Sequence, residues 1–123
     1  MTDGPPTYRI NCSWHDGILE IVVTGQADRS NADEIAVKVV RLTESYKARK
    51  RLIDVTNLHG RLDIDDSYYK DLLHDRYVFP TAVVLDLEKN QQHYTFLETA
   101  MSNQGYALRF FSDRDEALAW LST

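Results

Sequence analysis

The chain has 123 residues, 14 lysines and arginines against 19 aspartates and glutamates, a net charge of -5 and 43% hydrophobic content. That is enough for one self-sufficient core and too little for two. The acidic balance argues against a broad nucleic-acid footprint, which needs a concentrated basic face. One cysteine, Cys12, excludes an internal disulfide and a multi-thiolate metal site.

Residues 1–7, "MTDGPPT", are expected to form a disordered or extended lead, and residues 8–123 a single domain. The lead has no basic region followed by an apolar one, so it does not read as a signal peptide. No apolar run approaches the roughly twenty residues of a membrane span, and a cytoplasmic location is the default expectation. "YRINCSW" alternates strictly, with Tyr8, Ile10, Cys12 and Trp14 on one side, which is the period of a half-buried strand. Cys12 reads as a small buried apolar group there. An Asp-Gly turn at Asp16 and Gly17 leads into "ILEIVVTG", so the two strands are expected to form an antiparallel hairpin.

A helical rhythm follows. Ala32, Ile35, Ala36, Val39, Leu42, Thr43 and Tyr46 fall on one stripe, and Ser30 with Asp33 has the spacing of a capping box. The basic run "KARKR", residues 47–51, reads as the solvated end of that helix, where cations complement the macrodipole. "RLIDV" is a short buried strand, and "TNLHGRLDID" the loop after it, turning at Gly60. "SYYKDLLHDRY" predicts a second helix that Pro80 ends. "TAVVLDL" predicts an interior strand. "NQQHYTFLETAMSNQG" predicts a third helix with Phe96, Leu97, Ala100 and Met101 inward and Gly105 at its C-terminal cap. "ALRFF" and "SDRDEALAWLST" supply the last strand and a fourth helix, with Ser112 or Asp113 as its cap. The order β-β-α-β-α-β-α-β-α implies an α/β fold: one mixed five-stranded sheet, an N-terminal hairpin, then parallel strands joined by right-handed crossovers.

Two groups of acids invite a chemical reading. Asp63, Asp65 and Asp66 precede Ser67. The D-x-D spacing of Asp63 and Asp65 follows a loop rather than a buried strand, and no calcium-loop glycine or terminal glutamate completes a cage. These acids read as the cap and first-turn acids of a helix. Asp28, Asp54, Asp86 and Asp113 each lie near the C-terminal end of a predicted strand, where α/β sheets gather ligands. Such a rim could bind magnesium or do acid-base work, but capping and turn roles account for it more simply. His15, His59, His74 and His93 are scattered without zinc spacing, and there is no nucleophile elbow or glycine-rich phosphate loop.

"GILEIVVTGQAD", "RLIDVTNLHG", "TAVVLDL" and above all "ALRFFSDRDEALAWL" resemble the SpoIIAA-like family of small bacterial proteins, relatives of the STAS (sulfate transporter and anti-sigma-factor antagonist) domain. The resemblance runs from about Tyr8 to Leu121. It implies a SpoIIAA-like fold and a non-catalytic regulatory or interaction module, with no cofactor and with a protein partner or a second copy of itself. In the best-known members a serine or threonine that opens the helix after the third strand is phosphorylated. By position that residue is Ser67, with Asp66 before it, although Tyr68 and Tyr69 replace the usual small residues and glycine. The candidate partner or ligand surface comprises Asp54, Tyr68, Tyr69, Asp86 and Tyr94. The fold also resembles lipid-transfer domains of the Sec14 type, which implies a carrier of a small apolar ligand as the alternative, with Tyr68, Tyr69, Tyr77, Phe79, Tyr94 and Phe96 lining its pocket.

Overall fold

A computed structural model describes residues 7–28, 30–60 and 79–123 of the chain. The expected second helix, with Ser67, Tyr68, Tyr69 and the three aspartates before them, lies outside the described residues.

The hairpin forms as the alternation requires. β1 (Tyr8–His15) and β2 (Ile18–Gln26) pair antiparallel from Tyr8↔Gly25 to His15↔Ile18. Asp16 and Gly17 connect them with φ of 53° and 77°, the two left-handed residues of a turn whose twist matches that of the strands. Cys12 is half-buried rather than buried, its Sγ 3.7 Å from Tyr46 Oη, because β1 is an outer strand and α1 covers only part of it.

α1 spans Ala32–Tyr46 and buries Ala32, Ile35, Ala36, Val39 and Thr43. The expected Ser30–Asp33 capping box is not made. Asp28 does that work: its Oδ1 accepts from the Ser30 and Asn31 N–H groups at 2.8 and 3.1 Å and from Ser30 Oγ at 2.5 Å. Asn31 ties the turn back to the sheet, its Nδ2 donating to Gln26 O at 3.0 Å and Thr7 Oγ1 at 3.1 Å.

β3 (Arg51–Asp54) pairs parallel with β2, Leu19↔Arg51 to Val22↔Asp54. The expected loop after it contains a further strand, β4 (Leu58–His59), paired with Gly25 and Gln26. From Val22 to Gly25 one side advances three residues while Asp54 to Leu58 advances four, so a one-residue bulge separates β3 from β4. Gly25 permits this crossing. Its φ is 109°, and a Cβ there would press on Thr7 O and Tyr8 Cα.

β5 (Thr81–Val84) is wholly buried and β6 (Leu108–Phe111) closes the sheet. Between them a 3₁₀ turn at Leu87–Asn90 runs into α2 (Gln91–Asn103). Here the inward face differs from expectation: Tyr94, Leu97 and Met101 are buried, while Phe96 is 64% exposed. Tyr94 packs on Phe110, ring centroids 4.9 Å apart. Gly105, at φ 90°, closes the helix as expected, with Tyr106 N–H donating to Met101 O and Gly105 N–H to Ser102 O. α3 (Arg114–Leu121) follows β6, capped by Asp113, whose carboxylate accepts from Asp115 N–H.

The sheet order is β1-β2-β3-β5-β6, with β4 beside the end of β2. The β2-to-β3 and β5-to-β6 crossovers step the same way, so right-handed connections put α1 and α2 on one face. α1 and α2 share that face with Leu19, Ile21, Val23, Ile53, Val83 and Phe110. α3 lies on the other face, against Leu52, Ala82, Val84 and Phe111.

Arg51 departs most from the sequence reading. It is not at a solvated helix end but fully buried in β3. Its Nε donates to Thr81 Oγ1 at 3.0 Å and its Nη1 to Thr43 Oγ1 at 2.9 Å, joining α1 to β5 under the sheet.

Candidate functional site

The parallel register Val22↔Asp54↔Val84↔Phe111 brings the C-terminal ends of β2, β3, β5 and β6 to one rim, the place where α/β folds bind ligands. Asp28, Asp54, Asp86 and Asp113 all stand there, as the spacing predicts. The local backbone claims three of them. Asp28 holds the turn into α1, which keeps its carboxyl below the usual range through the Ser30 hydroxyl and N–H. Asp54 Oδ1 accepts from Thr56 N–H at 2.9 Å inside the bulge, and Asp113 caps α3. Asp86, half-buried, precedes the 3₁₀ turn and makes no side-chain cap there. Among the described residues no three histidines, cysteines or acids converge as metal ligands. The four aspartates stand along the rim without three of them converging on one point.

Of the other candidates, Tyr94 is 1% exposed and belongs to the main core. It points away from Phe96 on the same helix, so these two do not line one pocket. Phe79 is 41% exposed, with the Arg49 guanidinium 5.8 Å from its ring centre.

A polar cluster that sequence reasoning passed over sits on the α3 face. Glu20, in the middle of β2, is 6% exposed. Arg114, the first residue of α3, grips it with Nε–Oε2 and Nη2–Oε1 distances of 2.5 and 2.6 Å, and His15 Nε2 lies 3.0 Å from Oε1. The bidentate Arg114 bonds hold the Glu20 carboxyl at about 2 against an ordinary 4.5, with His15 adding to the effect and burial opposing it. So weak a base with both oxygens engaged cannot accept a proton from a substrate near neutral pH. The cluster is a clasp between the hairpin and the last helix. Its signal was present in "ILEIVV", where one charged residue interrupts an apolar strand.

Two concavities lie elsewhere, along β1. A cleft of about 730 Å³ runs between β1 and the start of α1, lined by Tyr8, Ile10, Asn31, Glu34 and Lys38, with Lys38 Nζ donating to Tyr8 Oη at 2.7 Å. A second, of about 380 Å³, continues past Cys12 to Arg41, Leu42 and Ser45.

This architecture has solved counterparts. An anti-sigma factor antagonist from Mycobacterium paratuberculosis is similar with a TM-score of 0.66 and 17% identity, over 99% of this chain and 100% of its own. An uncharacterized protein of the DUF3478 family with a SpoIIAA-like fold, from Shewanella loihica PV-4, gives 0.56 and 18% over 98% of both chains. The fold is SpoIIAA-like. No family model and no curated protein sequence matches the chain. The SpoIIAA-like assignment agrees with the resemblance read from "ALRFFSDRDEALAWL", whose Phe111, Ala117 and Leu121 form the smaller core and whose Asp113 is the cap. No described helix is long and apolar enough to cross a membrane.

Proposed function

We propose that this chain is a non-catalytic STAS-like module, working in the cytoplasm by binding a protein partner. The observation that carries this reading is the SpoIIAA-like fold shared end to end with a protein described as an anti-sigma factor antagonist. The rim chemistry supports it. Asp28, Asp54 and Asp113 are engaged by main-chain N–H groups, and Glu20 by Arg114, which leaves them to structure rather than to turnover.

In this proposal Ser67 is the regulated position, and Asp54, Asp86, Tyr68 and Tyr69 contribute to the contact surface around it. A phosphate adds nearly two negative charges and strong acceptors, enough to weaken a partner that reads an uncharged serine. Purification of the tagged chain from its native cell, followed by native mass spectrometry, tests both parts. The expected result is a stoichiometric complex with one other protein, lost when Ser67→Asp replaces the wild type. A chain recovered with no stoichiometric protein partner overturns the reading, and an unchanged complex with Ser67→Asp overturns the switch alone.

A further inference from the structure

Among the described residues β1 ends the sheet on one side and β6 on the other, and they differ in length: eight residues against four. β1 pairs with β2 along its whole length without a bulge. Leu19 and Gly25 of β2 give their N–H groups to Lys50 O and Asn57 O, on the side away from β1. Their opposites on β1, Trp14 and Tyr8, therefore belong to the non-hydrogen-bonded pairs of the hairpin and turn their own N–H and C=O groups outward. The two-residue period places Ile10 and Cys12 with them. Of the usual protections of a free edge, "YRINCSWH" carries no proline, no lysine, no acid and no bulge, and Arg9 is its one full charge. Beside this edge run the two clefts described above, and Trp14 stands 46% exposed, stacked on Tyr46 at 5.8 Å.

We propose that β1 pairs with β1 of a second copy of this chain, antiparallel about a twofold axis at Asn11, so that two sheets become one. The choice of occupant rests on how the strand matches itself. About that axis Tyr8 faces Trp14, Ile10 faces Cys12, Arg9 faces Ser13 and Asn11 faces Asn11. The outward residues Tyr8, Ile10, Cys12 and Trp14 become the hydrogen-bonded pairs, giving about eight main-chain bonds. Apolar side chains meet apolar ones on the cleft side and polar meet polar on the other. The charge of Arg9 faces a serine, so no like charges are opposed, and the two Asn11 amides can bond each other. A register two residues along puts Cys12 against Cys12 and forms fewer bonds. The inference goes beyond the partner-binding reading and does not depend on it, because it follows from the strand alone.

The full chain tests it. Native mass spectrometry and light scattering are expected to show a dimer in the micromolar range. Amide hydrogen exchange at Tyr8, Ile10, Cys12 and Trp14 is expected to slow with rising concentration, while Arg9 and Ser13, already bonded to β2, stay unchanged. Ile10→Pro removes an outward N–H without touching the β2 ladder and is expected to give a monomer with an unaltered circular dichroism spectrum. Asn11→Asp, a second variant that keeps the strand, sets two carboxylates on the axis and is expected to weaken dimerisation at least about tenfold. In a Cys12→Ser background, Asn11→Cys is expected to give a covalent dimer on mild oxidation. A strict monomer at about 100 μM, or a dimer indifferent to both Ile10→Pro and Asn11→Asp, overturns the proposal. So does protection of the four amides at every dilution, which would mean that residues 1–6 cover the edge, or protection only when another protein is added.

Discussion

The two faces of this sheet are held by different means. On one, α1 and α2 seal Leu19, Ile21, Val23, Ile53, Val83 and Phe110 into a continuous apolar layer, and the buried cation Arg51 has hydroxyl acceptors on both sides. On the other, α3 covers β3, β5 and β6 with a smaller apolar patch that includes Ile18 of β2, and the Arg114–Glu20 clasp ties it to β2 as well. Among the described residues, the face under α1 and α2 is held by a large apolar area, whereas the face under the short α3 adds a directional contact that fixes where that helix lies. The comparison predicts unequal responses to substitution.

The largest effect is expected on the sealed face. Phe110→Ala removes a ring packed on Tyr94 and should cost about 4 kcal/mol in urea unfolding, against roughly 2–3 kcal/mol for Leu121→Ala on the α3 face. Equal costs would show that the faces are not energetically distinct. Arg51→Ala should cost about 3 kcal/mol, because it empties a buried volume and leaves the Thr43 and Thr81 hydroxyls without that partner. Thr43→Val, which removes one acceptor, should cost about 1–2 kcal/mol.

The clasp carries a pH signature. The Glu20 carboxyl titrates lower in the folded chain, at about 2, than its ordinary 4.5, so the folded state favours the ionised form. Its contribution is full above about 4.5 and is lost as pH falls toward 2. Arg114→Ala should cost about 2 kcal/mol at pH 7, and Glu20→Gln should flatten the stability curve between those two pH values. A Glu20→Gln protein that loses stability over that window as the wild type does would remove the clasp from the account. The smallest effect is expected at the cap: Asp113→Ala should cost about 1 kcal/mol and raise amide exchange in the first turn of α3 before anywhere in the main core.

The parts legible in the sequence were those governed by near neighbours. The alternation of Tyr8 to Trp14, the Asp-Gly turn, the buried run at Thr81 to Val84 and the Gly105 stop each depend on a few adjacent residues, and each formed as read. What escaped depends on partners far along the chain. Arg51 looked like part of a charged helix end because Thr43 and Thr81, which make its burial tolerable, are eight and thirty positions away. Glu20 looked like a strand residue among others until Arg114, ninety-four positions on, reached it. In α2, Tyr94 and Phe96 are both aromatic and both fit a helical stripe, so only the position of Phe110 decides which one turns inward. β4 is two residues long, too short to carry a pattern, and exists only because the bulge carries the chain back alongside β2. At the rim the positions of the aspartates were legible, whereas their engagement by Ser30, Thr56 and Asp115 N–H groups was not.

The order of strands in space, β1-β2-β3-β5-β6, is also their order in the chain. Along this path each strand is added beside the previous one, and only the two-residue β4 sits apart, beside the end of β2. Such a sheet can grow from one side as the polypeptide emerges, closing short loops first. Among the described residues, the flank of β1 away from β2 is left uncovered by the strands that follow it.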